Sequence, residues 1–390
     1  MSLGDHSGAA DLAGRAREAL GRRDPAQALA FLRQAEALGS SLELLLDKAL
    51  ALRMLGDLTA AVEALDDALV FEPRNLLALL SKGALLERLG RRGESVAVYK
   101  AAIAVAPSPE NLPSGLAAAL ARAREAVEAA SISLAAHLEA SVAELRGRWA
   151  GEPLDRFDES LRIYAGRTRA FVQEPLLLHY PRLPAIPFYD RSHFPWLADL
   201  EASSDTIREE LIALLDRRIE GFVPYIAYPP GIPVNQWGEL NHSLKWSTFF
   251  LWLNGERQAD ACALCPGTAA LLASLPMAEQ PGYAPTAMFS VLDARTSIPA
   301  HTGSTNTRLV LHLPLLLPGP ARFRVGNVTR SWRMGEAWVF DDTIEHEAWN
   351  DADEPRAILI FDVWNPFLSE AERSLVSAMM TARKAFEIGT

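Results

Sequence analysis

Only two cysteines occur in 390 residues, Cys262 and Cys265. That count excludes a disulfide framework and fits a reducing compartment, so a cytoplasmic location is expected. Positive charge is in the minority: 38 Lys and Arg stand against 49 Asp and Glu, a net charge of −11. A protein that neutralises phosphates needs the opposite balance, so no nucleic-acid partner is expected. An anionic membrane surface is matched no better. Long hydrophobic runs are also missing. The notable one, Leu309 to Leu317, is interrupted by His312 and Pro314 and is far too short to span a bilayer. Met1 to Ala10 has no basic segment followed by an apolar one, so no secretory leader is expected.

What is present is a globular composition, 49% hydrophobic and 22% charged, in a chain long enough for two or three domains. The first third repeats itself. Leu55-Gly56 recurs as Leu89-Gly90, Leu65 as Tyr99 and Pro73 as Pro107, each 34 residues on, and Leu20-Gly21 lies 35 residues before Leu55-Gly56. This period looks like a tetratricopeptide repeat, in which helix pairs bury their faces only against their neighbours. Residues 1–112 are therefore expected to be helical repeats, a class that suggests a peptide groove. Residues 113–175 are expected to be a helical spacer, with one long Ala-rich helix over 114–148.

Beyond residue 175 the character changes. Residues 175–196 hold five prolines and several aromatics and read as irregular chain. One amphipathic helix is expected over 204–217. From about 222 onward the signal becomes increasingly β, with strands expected at 308–312, 321–325, 328–333, 337–340, 346–349 and 356–364. Gly326-Asn327 between alternating runs signals a hairpin. Residues 176–390 are thus expected to form a jelly roll, giving an α+β multidomain protein: TPR-like repeats, then a cupin-like double-stranded β-helix.

Three of the eight histidines fall among these strands: His301, His312 and His346. His301 and His346 lie 45 residues apart, a gap that several strands could fold back to one mouth of the barrel. Neutral imidazoles with open coordination positions suit iron(II) and oxygen chemistry. Arg308, Val310 and His312 would share one strand face, with Leu309, Leu311 and Leu313 on the other.

The ordered run Phe289-Ser290, His301-Thr302-Gly303, Asn306-Thr307-Arg308, His312-Leu313, Phe340-Asp341-Asp342, Glu345-His346-Glu347, Trp349, Arg356 and Asp362-Val363-Trp364 resembles the aspartyl/asparaginyl β-hydroxylase family. The likeness covers roughly residues 180–368 and includes Pro187 to Asp190 and Phe194 to Trp196. Several members of that family also carry tetratricopeptide repeats. The resemblance implies an iron(II), 2-oxoglutarate and O2 dependent hydroxylase acting on the β-carbon of Asp or Asn in a peptide, recruited by the repeats. His301 and His346 would bind iron. Arg356 and Ser290 would hold the distal carboxylate of 2-oxoglutarate, and His312 the carboxylate beside the keto group.

Two positions stand out within that resemblance. Gly303 occupies the place where most related oxygenases carry a carboxylate ligand, a departure the family shares, with water filling the vacancy. Asp341, Asp342, Glu345 and Glu347 are the alternative acidic ligands. Val310 stands where the family usually has an arginine, and Arg308, Arg322 or Arg324 are the candidates to replace it. Cys262 and Cys265 read as ordinary thiols rather than a zinc site, since zinc usually takes four ligands. Trp237, Trp246 and Trp252 read as core packing or as walls of a substrate groove. Two other functions stay open: an oxygenase of a small molecule or lipid acyl chain, and a non-catalytic repeat scaffold.

Overall fold

A computed structural model describes residues 3–108, 111–216 and 221–389. The chain divides between Thr168 and Arg169 into two compact units.

The first unit is helical: α1 (Leu3–Gly21), α2 (Pro25–Leu38), α3 (Leu42–Leu55), α4 (Leu58–Phe71), α5 (Leu76–Arg88), α6 (Arg92–Val105), α7 (Ser114–Arg148) and α8 (Asp155–Tyr164). Asp24, Ser41, Asp57 and Asn75 start α2 to α5, each accepting a backbone N–H three residues on. The recurrent Leu-Gly marks helix ends. Gly56 and Gly90 take φ of +86° and +74°, the left-handed turn that releases the chain into the next helix. The first Leu-Gly is different: α1 runs through Gly21 and Arg23 takes the positive φ, in keeping with its offset of 35 rather than 34.

Alanines and leucines, among them Ala16, Leu32, Ala51, Leu65 and Leu86, fill the seams between neighbouring pairs. The long helix is not a separate spacer. Leu120 and Ala123 of α7 bury against Leu79, Leu80 and Tyr99, so α7 covers the end of the repeat array, and residues from 169 onward belong to the second unit.

Gly83 shows how close this packing is. A Cβ there would overlap the ring of Tyr99, which is itself buried and hydrogen-bonded to Glu87 at 3.1 Å. Gly83→Ala is expected to destabilise the first unit by about 1–3 kcal/mol, the usual cost of overpacking. Thermal unfolding followed by circular dichroism measures it; an unchanged melting temperature would show that the ring moves freely.

The second unit contains α9 (Leu197–Ala202), α10 (Ser204–Asp216), β1 (Val223–Pro224), β2 (Trp246–Leu253), β3 (Glu256–Arg257), α11 (Ala259–Leu264), α12 (Pro266–Ser274), β4 (Ala287–Leu292), β5 (Ser297–His301), β6 (Arg308–Leu316), β7 (Ala321–Val325), β8 (Val328–Ser331), β9 (Trp338–Phe340), β10 (His346–Asn350), β11 (Arg356–Trp364) and α13 (Glu370–Gly389). The expected helix over 204–217 is thus α10; position 217 lies outside the described residues. A large antiparallel sheet runs β1-β2-β4-β11-β6-β9, with β3 beside β2, and a smaller one runs β5-β10-β7-β8.

Alternation along the strands sorts the side chains. Leu309, Leu311, Leu313 and Leu315 of β6, with Phe289 and Phe361, pack outward against Leu200, Ile207, Leu211 and Leu272 of the helices. Ile358, Trp338 and Phe340 face inward, packing with Phe323, Val325 and Ala348 of the smaller sheet. This is the jelly-roll arrangement, and its inner faces enclose a cavity. Among the described residues, no helix is long and apolar enough to cross a membrane.

Candidate active site

Strand order brings the two distant histidines together. β5 and β10 are neighbours in the smaller sheet, and His301 and His346 are direct partners on one rung, with ring centroids 4.1 Å apart. Each Nδ1 lies against a backbone carbonyl: Pro299 at 2.7 Å from His301 and Ile344 at 3.1 Å from His346. A carbonyl only accepts, so Nδ1 carries the proton and Nε2 keeps its lone pair. Burial holds both imidazoles below the usual histidine range, His346 well below it, where the neighbouring His301 adds to the effect. Two neutral, oriented imidazoles side by side could hold a divalent transition metal.

They line a cavity of about 380 Å³ between the sheets. Arg356, Ser290 and His312 form part of its lining. Arg356 is 1% exposed, and its Nε and Nη1 have no hydrogen-bond partner. Burial pulls the guanidinium down to about 9. Its carbon lies 4.6 Å from the ring centroid of Trp332. A buried cation without a counter-charge is costly, so this part of the lining is built to receive an anion. Ser290 accepts the indole N–H of Trp246 at 3.0 Å, which leaves the hydroxyl proton available for a ligand. His312 is buried with Nδ1 unpartnered, and desolvation, with the Arg356 charge, keeps it neutral. Ser290, His301, His312, Arg308, His346 and Arg356, the site residues expected from the sequence, all line one cavity.

The cation expected near position 310 has no simple replacement. Val310 faces the cavity, as does Arg308, but Arg308 donates Nη1 to Asp362 at 3.0 Å and to the Tyr283 carbonyl at 3.3 Å. Its buried Nε lacks a partner. Arg322 and Arg324 do not line the cavity. They sit on β7 and pair with Asp351 and with Glu345 and Glu347. This corrects the expectation that either could serve in place of the missing arginine.

The acidic residues sort as clearly. Asp341 is held by Thr343 and Gln173, and Glu345 and Glu347 are held by Arg324. Asp342 alone of the four lines the cavity. A Cβ at Gly303 would overlap the Asp342 carboxyl group, and the Gly303 N–H donates to the Asp342 carbonyl at 2.7 Å. Burial, then the charge of Asp341, pushes the Asp342 carboxyl up to about 8. No cluster of three or more His, Cys, Asp or Glu among the described residues is placed to hold a metal, so the two histidines stand as a pair.

The remaining candidates divide. Trp237 and Trp246 line the cavity, whereas Trp252 packs in the outer core. Cys262 and Cys265 are buried in that same core, and the Cys262 thiol donates to the Leu251 carbonyl at 3.4 Å. Trp332 and the cavity-lining Tyr225 and Met288 carried no distinguishing pattern in the sequence; their places follow from the tertiary fold.

Comparison with known proteins agrees with this geometry. Residues 201–366 match the family model described as aspartyl/asparaginyl beta-hydroxylase. The ornithine lipid ester-linked acyl 2-hydroxylase of Rhizobium tropici is 35% identical over 206 residues, 51% of this chain and 67% of that protein. The human aspartyl/asparaginyl beta-hydroxylase is also 35% identical, over 182 residues, 46% of this chain and 22% of that one. The chain thus spans two thirds of the first relative and less than a quarter of the second. The matched segment holds the histidine pair, the buried arginine and the strands that position them, and the chain belongs to the aspartyl/asparaginyl beta-hydroxylase family.

Proposed function

We propose that this protein is an iron(II) and 2-oxoglutarate dependent hydroxylase. The observation that carries the reading is Arg356, a fully buried guanidinium with unpartnered donors, lining the same cavity as two neutral histidines. The donor set fits both groups. His301 and His346 would hold the metal through Nε2, and Arg356 with Ser290 would take the distal carboxylate of 2-oxoglutarate as a charge-assisted fork. Once bound, iron with 2-oxoglutarate and O2 supplies the oxidising power that turns a C–H bond into C–OH, with succinate and CO2 as co-products.

The protein's own part is placement. The carbonyls of Pro299 and Ile344 fix the imidazole tautomers. His312, neutral with an unpartnered Nδ1, would donate to the second carboxylate. Asp342 fills the space beside Gly303 and, with its raised carboxyl, holds a proton at the side of the cavity nearest that glycine. Tyr225, Thr302, Ser304 and the Arg308–Asp362 pair also line the cavity and supply polar groups for a substrate.

The substrate we favour is the β-carbon of Asp or Asn in a peptide, recruited by the helical repeats. A second reading, an acyl chain, draws on the apolar residues Met288, Val310, Ile358 and Ile360 in the lining of the cavity. The Rhizobium relative, by its name, hydroxylates an acyl group. Mass spectrometry of randomised peptides and of defined lipids, incubated with protein, iron and 2-oxoglutarate, separates the two by which one gains an oxygen atom.

Arg356→Met removes the buried charge while keeping the bulk. It is expected to weaken 2-oxoglutarate binding by roughly a hundredfold, the scale for losing one partner of a buried charge-assisted pair. Calorimetric titration of the manganese-loaded protein reads this directly. Unchanged affinity would sink the assignment of the co-substrate to Arg356.

A further inference from the structure

We propose that Trp332 is a positioning residue for the co-substrate: its indole face holds the Arg356 guanidinium in the orientation that receives the distal carboxylate. The inference rests on the reading of the cavity as a 2-oxoglutarate site.

Three observations converge on it. First, Arg356 lacks the partner that normally orients a buried arginine. No carboxylate among the described residues pairs with it, its Nε and Nη1 are unsatisfied, and the Trp332 ring centroid lies 4.6 Å from the guanidinium carbon. An aromatic face attracts a cation through its quadrupole, and most strongly away from water.

Second, Trp332 is itself packed between two other rings. It is 6% exposed and stacks on Phe323, with centroids 5.6 Å apart and planes at 22°, and on Trp338, at 6.0 Å and 16°. A ring fixed by two neighbours can fix a third group. Although Trp332 does not line the cavity, it acts on a residue that does.

Third, the rest of the cavity offers no second free guanidinium. Position 310 is valine, and Arg308 is tied to Asp362. Among the described residues, Arg356 is the one cavity-lining arginine without an acidic partner. Recognition of the dicarboxylate therefore leans on Arg356, and hence on whatever aligns it.

The test uses the full chain loaded with Mn(II), titrated with two keto acids. 2-Oxoglutarate carries the distal carboxylate, whereas 2-oxovalerate has the same carbon chain with a methyl group in its place. Trp332→Leu, which removes the aromatic face, is expected to weaken 2-oxoglutarate by about tenfold or more and to leave 2-oxovalerate within about twofold. Trp332→Phe keeps a weaker face and is expected to lose roughly threefold on 2-oxoglutarate alone. Should the leucine variant fail to fold, the phenylalanine variant carries the test, with Mn(II) affinity and melting temperature as its controls. Equal losses on both keto acids would mean that Trp332 merely packs, and unchanged 2-oxoglutarate affinity in the variants would likewise overturn the proposal. Failure of the unmodified protein to prefer 2-oxoglutarate over 2-oxovalerate is a separate outcome, which sinks the reading of the site itself.

Discussion

His346→Ala is expected to abolish stoichiometric iron binding and to bring turnover to background. Most metal sites of this class have a third protein ligand to fall back on. Here Gly303 offers none, Asp341, Glu345 and Glu347 are held by other side chains, and no third ligating group completes a cluster among the described residues. Loss of a residue that only orients a metal ligand costs about 10–100-fold in affinity or activity, so loss of one of two ligands exceeds that range. His346 opens β10 and its ring is buried, yet the strand is held by β5 and β7 on either side, so the fold survives the change. Metal analysis after anaerobic reconstitution, with a circular dichroism spectrum as control, decides the matter. A variant that keeps one equivalent of iron would mean the metal sits elsewhere.

That the two histidines share a rung could not be read from the chain. Their 45-residue separation is closed by β10 lying between β5 and β7, and strand order is a long-range property. The resemblance supplied the pairing instead. Local periodicity served well where one face was buried and the other was not. The alternation of Arg308, Val310 and His312 with Leu309, Leu311 and Leu313 places the first three in the cavity and the leucines in the outer core. It served poorly for β2 and β4, whose runs Trp246–Leu253 and Ala287–Leu292 are buried on nearly every residue and so show little period. Met288 and the Trp246–Ser290 hydrogen bond went unseen for that reason.

The helical repeats were legible because their Leu-Gly ends and capping residues are local signals. The role of α7 was not, since an Ala-rich helix reads the same whether it is a free spacer or, as here, packs on the last repeat. Trp332 was invisible because its value lies in touching Arg356, 24 residues away on β11.

Gly303→Ala is expected to lower activity by about a hundredfold, although it adds one methyl group at a position that related oxygenases fill with a larger residue. The reason is Asp342. Its carboxyl group occupies the space that a side chain at 303 would enter, and the two residues are tied by the hydrogen bond from the Gly303 N–H to the Asp342 carbonyl at 2.7 Å. The backbone yields only by moving Thr302 and His301, and the carboxyl only by turning away from Gly303. Either movement misplaces a group beside the histidine pair, and a displacement of about 1 Å at such a site costs on the order of a hundredfold. The steric origin makes a sharp double-variant prediction. Asp342→Gly opens the space, so Gly303→Ala in that background should cost less than about threefold beyond the Asp342→Gly loss itself, a strong departure from additivity. Asp342→Asn, nearly the same size, should leave the Gly303→Ala penalty in full. Turnover measured as succinate release in the four-member cycle tests this. Additive losses for Gly303→Ala and Asp342→Gly would show that the glycine is required for something other than room for the carboxyl group.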